Sequence, residues 1–341
     1  MLFRSEELGS VYEGLLELHP LVNADAGTFE LNVAAGNERK TTGSYYTPDS
    51  LVQCLLDSAL EPVMAEAVKG KSGEDAAKAI LDLKVCDPAV GSGHFLIAAA
   101  HRMAKRIAAI RSGEEEPSPT AVRSALRQVV GRCLYGVDIN PMAAELCKVS
   151  LWLEALEPGK PLSFLDHHIR VGNSLLGATP ELIAKGIPDE AFKPIEGEDK
   201  KACSELKKIN ARERKGLGDL FAQEDLRIHE AIRQAAQAVD IMPDDTPEAI
   251  ASKTRAFEQA EANFATQIAK TVADAWCAAF VVHKLLPEGE KHPFGITQRH
   301  IQDAAAGHGL PDPIREAVRE MTGQYRRSEE HTSELQSRIT I

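Results

Sequence analysis

Asp87-Pro88-Ala89-Val90-Gly91-Ser92-Gly93-His94-Phe95 is the stretch on which the reading of this chain turns. Leu83 to Cys86, just before it, has the length and composition of a short strand, and Phe95 to Ile110, just after it, is a mostly apolar, Ala-rich run of helical length. Gly91-Ser92-Gly93 is then a tight turn between strand and helix. Glycines let the backbone approach a ligand closely, and the helix that follows presents unpaired N–H groups at its start. The pattern repeats downstream. A loop at Ser112 to Pro119 and a helix near Ala121 to Val130 lead to a second predicted strand, Cys133 to Val137, which ends on Asp138. Asn140-Pro141 caps a helix over Met142 to Leu156, Pro158-Gly159 ends it, and Ile169 to Val171 is a third candidate strand. Strands alternating with helices predict an α/β fold with a doubly wound parallel sheet, because parallel strands need helical crossovers.

The flanks read differently. Residues 5 to 18 carry Leu8, Val11, Leu15, Leu16 and Leu18 at near-helical spacing, and a β-like stretch, Thr28 to Val33, follows, so residues 1–42 are expected to form a small helical N-terminal subdomain. Thr47-Pro48 opens a further helix, with Thr as cap, Pro at the first helical position and an apolar face that includes Leu51, Cys54, Leu55 and Ala59. Gly70 to Glu74 is a polar break. Past Ala178 the strand signal stops, and residues 178–326 read as a helical insertion after a core spanning 43–177. Its clearest element starts at Thr246-Pro247-Glu248 and sets Ile250, Phe257, Ala260, Phe264, Ile268, Val272 and Trp276 on one stripe. Such a stripe is most simply a helix packed on a helix, and Leu220, Phe221, Leu226, Ile228 and Ile232 supply the expected partner of a helical hairpin.

Composition narrows the functional classes. The chain has 341 residues, 43% hydrophobic and 26% charged, which is enough for a sizeable core. A formal charge of -12 opposes general nucleic-acid affinity, since phosphate binding is driven by Lys and Arg, so any DNA contact must use a local basic surface. Lys207, Lys208, Arg212, Arg214 and Lys215 form one such cluster, although a solvated helix face is the more ordinary reading. Six dispersed cysteines without a C-x-x-C pair read as reduced, mostly buried thiols. The absence of a long apolar run or a signal-like start predicts a cytoplasmic protein with no membrane partner.

The chemistry rests on two signals. A dinucleotide-binding G-x-G-x-x-G requires a third small residue, and that place holds Leu96, which counts against a nicotinamide cofactor. Asp138 ends the second strand in Tyr135-Gly136-Val137-Asp138-Ile139-Asn140, where an acid can accept the ribose hydroxyls of an adenosine ligand. On its own such an acid is more often a helix-capping or solvated residue; beside the glycine turn it favours an adenosine cofactor. His94 invites a general-base reading, but it is explained equally well as the first residue of a helix.

With these strings in hand the sequence resembles the adenine-N6 DNA methyltransferases of restriction-modification and phage-defence systems. Gly43-Ser44-Tyr45-Tyr46-Thr47-Pro48 looks like their motif X, Asp87 to Phe95 like motif I, Tyr135 to Asn140 like motif II, and Gly172-Asn173-Ser174-Leu175-Leu176-Gly177 like motif III, in the family's order. The opening Leu8 to Glu17 is similar to the start of the large single-chain, type IIG-like enzymes. The resemblance implies a Rossmann-like methyltransferase fold, with more strands than the three visible here, that binds S-adenosyl-L-methionine. It implies that Tyr46 and Thr47 hold the methionine end of this cofactor, that Asp87, Gly91 and Gly93 form the loop around it, that Asp138 takes the ribose, and that Asn173 reaches the adenine, although many relatives carry Asp there. It further implies double-stranded DNA with a flipped-out adenine as substrate, and possible restriction or defence-system subunits as partners.

One family feature is missing. Methyl transfer to adenine uses a motif IV of Asn or Asp, Pro, Pro and an aromatic residue, and no such string occurs in the chain; Asn140-Pro141-Met142, the nearest, is explained as a helix cap. No catalytic residue is therefore assigned, and these residues alone are expected neither to methylate DNA nor to fold well. Arg327 to Ser337 resembles one reading frame of a short-read sequencing adapter, so residues 327–341 are expected to have no evolved role. An RNA or protein acceptor, or a non-catalytic cofactor-binding subunit of a defence complex, are the competing readings.

Overall fold

Three short strands, β3 (Val85–Asp87), β4 (Leu134–Asp138) and β5 (Ile169–Val171), form a parallel sheet in the order β3-β4-β5. They are numbered after an antiparallel hairpin, β1 (Leu18–Asn23) with β2 (Thr28–Val33), paired from Leu18↔Val33 to Asn23↔Thr28. The computed structural model describes residues 18–23, 28–33, 47–175, 177–215, 219–287 and 292–324. The helix expected over residues 5–18 lies outside these, apart from Leu18, which begins β1. What is described of residues 1–42 is therefore strand.

The register places Asp87 opposite Gly136 and Asp138 opposite Val171, so the acidic ends of β3 and β4 share one edge of the sheet. Each strand is added on the same side of the last. This is one arm of a doubly wound sheet; the reversal of direction that defines double winding is not among the described strands. The chain divides into two compact units. The described residues up to Val171, together with Pro243–Ile250, form the first, and those in Gly172–Met242 and from Ala251 onward form the second.

In the first unit, α1 (Asp49–Leu55) runs through a π-helical turn, Leu56–Leu60, into α2 (Glu61–Ala67). Pro48 has φ -55° and ψ 138°, so it caps the helix itself, and the expected Thr47 cap moves by one residue. The expected buried face is also corrected. Leu51, Cys54 and Leu55 are exposed, whereas Val52, Leu56, Leu60 and Met64 are buried. In regular α geometry each step of four residues drifts by about 40° around the axis, and the wider π turn at 56–60 takes up much of that drift. The residues four apart thus stay on one face. After the polar break comes α3 (Gly73–Leu81), which the sequence reading did not anticipate.

Between β3 and β4 lie α4 (His94–Ser112) and α5 (Pro119–Arg132); α6 (Pro141–Glu154) follows β4. Leu96, Met103, Ala104 and Ile107 of α4 are fully buried with Ile80, Val129, Leu134 and Leu151, which makes α4 the spine of the first core. At roughly 1.5–3 kcal/mol for each large apolar side chain, this burial is the main stabilising contribution. Arg102 of α4 ties α1 down, donating through Nη2 to Gln53 Oε1 at 2.5 Å and pairing with Asp57. The segment Pro243–Ile250 is held in this unit by Arg127 of α5, whose Nη2 donates to the Asp244 carbonyl at 2.9 Å.

The second unit is helical: α7 (Pro180–Ala184), a 3-10 turn at Asp189–Phe192, α8 (Lys200–Lys215), α9 (Asp219–Asp240), most of α10 (Pro247–Ala262), α11 (Phe264–Val281), α12 (Gln298–Ala305) and α13 (Asp312–Gln324). The single stripe expected from Ile250 to Trp276 is two helices. Asn263 interrupts it: its side chain accepts the Ala265 N–H at 2.9 Å and caps α11. The hairpin partner of α9 is accordingly α11. Val272, Ala275, Trp276 and Ala279 of α11 are buried among Ile187, Leu206, Ile301 and Ile314.

No helix among the described residues is long and apolar enough to cross a membrane. All six cysteines are free; Cys133, Cys147 and Cys203 are buried, Cys86 and Cys277 half-buried, and Cys54 exposed, so fewer are buried than expected.

Candidate functional site

The loop between β3 and α4 takes its shape from β4. Val90 N–H donates to the Val137 carbonyl at 2.9 Å and Gly91 N–H to Asp138 Oδ2 at 2.8 Å. Within the loop, Gly93 N–H closes a turn onto the Val90 carbonyl at 2.8 Å. Gly91 (φ 53°) and Gly93 (φ 87°) occupy the left-handed region, which L side chains rarely adopt. Gly93 is also pressed close to α6: a Cβ on it would lie 2.8 Å from Cys147 Sγ. A Cβ on Gly91 would meet nothing within 4 Å, so the loop faces open space at that point. Gly93 caps α4 without a side chain, leaving the start of that helix without a side-chain acceptor.

Two carboxylates flank this loop. Asp138 accepts from Gly91 through Oδ2 and from the Asn140 N–H through Oδ1, also at 2.8 Å. An ionised carboxylate offers about four lone-pair sites, so about two remain for a ligand. Asp87 accepts the Ala89 N–H through Oδ1 at 3.0 Å. Burial pushes the Asp87 carboxyl above its ordinary value; the Ala89 hydrogen bond offsets part of this, and the Asp138 charge adds to it. Among the described residues neither acid has a Lys, Arg or His partner. Buried thiols stand beside them. Cys86 is pushed up to about 12 by burial and then by Asp87, and Cys147 is raised further by burial, Asp87 and Asp138. Both are neutral and unreactive at physiological pH.

The other expected site residues fall as follows. Thr47 is exposed and directly precedes Pro48, while Tyr46 lies outside the described residues. Asn173 stands two residues past Val171, the register partner of Asp138, and its Oδ1 accepts the Leu175 N–H at 2.9 Å. His94 is the half-buried first residue of α4. The structure thus brings Asp87, Gly91, Gly93 and Asp138 together in the first unit. The basic cluster of α8 is partly consumed locally, because Lys207 and Arg214 both pair with Asp189, at 3.3 and 2.9 Å. Gly136, which no motif in the sequence singles out, is closely approached by Val90: a Cβ there would lie 2.8 Å from Val90 Cγ2. In the second unit Trp276, Cys277, Phe280 and Met321 line an apolar cavity of about 340 Å³.

A parallel strand, a glycine turn and a helix, with an acid at the end of the adjacent strand, are the arrangement of a nucleotide-binding α/β protein. Comparison with known families is more specific. The N-6 DNA Methylase model matches residues 5–185, more than half of the chain, and the chain belongs to this family of adenine-specific DNA methyltransferases, which in general use S-adenosyl-L-methionine. Among curated proteins it is 30% identical over 203 residues to a protein of Methanocaldococcus jannaschii named as a type II restriction enzyme and methyltransferase, covering 48% of this chain and 17% of that protein. It is 30% identical over 149 residues to the adenine-specific methyltransferase PglX of Streptomyces coelicolor, covering 40% of this chain and 10% of PglX. The matched region is thus a small part of either relative. No solved structure matches the chain.

Proposed function

We propose that the loop between β3 and α4 and the ends of β3 and β4 hold S-adenosyl-L-methionine for adenine-N6 methylation of DNA, in restriction-modification or phage defence. The observation that carries this reading is the pair Asp87 and Asp138, set around an open glycine turn with no cationic partner among the described residues. Two carboxylates repel the pyrophosphate of a dinucleotide and attract a cation. The sulfonium and ammonium groups of S-adenosyl-L-methionine supply that charge, and its ribose hydroxyls supply donors for the acceptor sites left on Asp138. The same paired negative charge fits poorly with a site for free phosphate.

The residues assigned to the cofactor are Tyr46, Thr47, Asp87, Gly91, Gly93, Asp138 and Asn173, the last toward the adenine. When bound, the cofactor supplies the methyl group. This chain's residues bind and orient it. The acceptors and aromatic face that a flipped adenine needs belong to an Asn-Pro-Pro-aromatic string, which the 341 residues do not contain, so the chain by itself is not expected to transfer methyl groups. Titration calorimetry with S-adenosyl-L-methionine tests the main proposal. Asp138→Ala removes the ribose acceptor and the Gly91 anchor together, and is expected to weaken binding at least about tenfold, in line with the loss of charge-assisted hydrogen bonds. Unchanged affinity in that variant would remove Asp138 from the site.

A further inference from the structure

We infer that Gly136, in the middle of β4, is a positioning residue for the cofactor loop, acting through Val90; this rests on the reading of that loop as a S-adenosyl-L-methionine site. Gly136 is not among the positive-φ glycines, so the backbone there does not require glycine for its shape. Space requires it. Val90 is 4% exposed and lies against Gly136, and a Cβ built on Gly136 would come within 2.8 Å of Val90 Cγ2 and 3.0 Å of Val90 Cβ. On the β5 side the same Cβ would meet Ile169 Cδ1 at 3.2 Å. Position 136 is pinched between the loop and the neighbouring strand.

Val90 has no easy retreat. Gly136 sits in the central strand, registered with Asp87 on one side and Ile169 on the other, and its N–H donates to the His168 carbonyl at 2.9 Å. Val90 is held by its own N–H on the Val137 carbonyl, and its carbonyl accepts from Gly93. The next residue, Gly91, must keep its N–H 2.8 Å from Asp138. A methyl group at position 136 therefore moves Val90, and any movement of Val90 is passed directly to the amide that joins the glycine turn to the ribose-binding acid. The absence of a side chain on β4 sets the height of the loop above the sheet, and with it the geometry of both carboxylates around a ligand. Displacements on the ångström scale are costly at such sites.

The test is calorimetric titration of the whole 341-residue chain with S-adenosyl-L-methionine, accompanied by thermal melts. Gly136→Ala is expected to lower affinity at least about tenfold, as a loop displaced by a fraction of an ångström or more would. Val90→Ala combined with Gly136→Ala removes the nearest clashing atom, Val90 Cγ2, and leaves a 3.0 Å approach to Cβ that a shift of a few tenths of an ångström relieves; it is expected to bind within about threefold of Val90→Ala alone, and a general loss of sheet stability would not be rescued in this way. Wild-type affinity in Gly136→Ala overturns the inference, and so does weakened binding that Val90→Ala fails to restore. If Gly136→Ala does not fold, the double variant decides: recovery of both folding and binding supports the inference, and failure to recover overturns it. A wild-type chain that melts cooperatively but takes up no S-adenosyl-L-methionine refutes the cofactor reading itself, which is a different result from wild-type binding that is indifferent to position 136.

Discussion

Two acids of the first unit and one of the second stand in opposite settings. The first leaves two carboxylates, Asp87 and Asp138, beside an open loop with no cationic partner among the described residues. The second pairs a buried acid. Glu198 and Lys284 have side chains only 0% and 1% exposed; they pair at 3.1 Å, and Glu198 also accepts the backbone N–H groups of Ile195 and Lys284. Asn210 bridges the Ile187 carbonyl and the Gln298 N–H, and Gln298 Oε1 accepts the Ile187 N–H, although Gln298 Nε2 finds no acceptor among the described residues. Uncompensated charge costs stability and persists where something else is to bind; compensated charge is architecture. The cofactor site proposed in the first unit rests on that difference.

Each unit holds one of the two tryptophans, Trp152 in the first and Trp276 in the second, so Trp152→Phe and Trp276→Phe variants report on them separately. The largest effect is expected from Lys284→Met, which strands Glu198 in the second core. Loss of about 3–5 kcal/mol should appear in urea unfolding followed by Trp276, and a loss below about 1 kcal/mol would mean that water reaches the pair. Met103→Ala empties the spine of the first core, and should cost about 2–5 kcal/mol in the transition followed by Trp152. Asn263→Ala deletes the cap that separates α10 from α11, and about 1 kcal/mol should be lost from the Trp276 transition.

Acid is expected to produce the smallest change and the one that distinguishes the units by sign. Burial acts to raise the Glu198 carboxyl, but its backbone hydrogen bonds and Lys284 outweigh this, and the net shift is downward. Its stabilisation is complete above the ordinary glutamate value and is lost as pH falls through the depressed folded value. Asp87 is shifted upward, so its contribution is most favourable below the ordinary aspartate value and declines as pH rises through the raised folded value. Equilibrium melts of the two single-tryptophan variants across the acidic range should show slopes of opposite sign from these groups. Parallel slopes would erase the distinction.

Much of the arrangement at the candidate site was legible because its residues lie at the ends of short, strongly patterned elements. The spacing from Asp87 through Gly93 and the strand ending on Asp138 require only that two parallel strands be adjacent for loop and acid to meet. What sequence alone did not show depends on phase or on distant partners. The π turn at Leu56–Leu60 helps keep Val52, Leu56, Leu60 and Met64 on one buried face while Leu51 and Leu55 stay exposed, and no side-chain pattern announces a change of helical pitch. The stripe from Ile250 to Trp276 continues in register across Asn263, so periodicity alone hides the break. Lys207 and Arg214 look like a free basic surface until Asp189, well separated in sequence, is brought against them. The space that Val90 needs over Gly136 depends on three strands at once.

Asp138 commits both of its oxygens to backbone amides within the folded chain, so the glycine turn is ordered before any ligand arrives. The entropy of fixing that loop is charged to folding and does not recur in each binding event. A ligand that binds as proposed would find the loop's donors and acceptors already aimed, with little spent on bringing the loop into line.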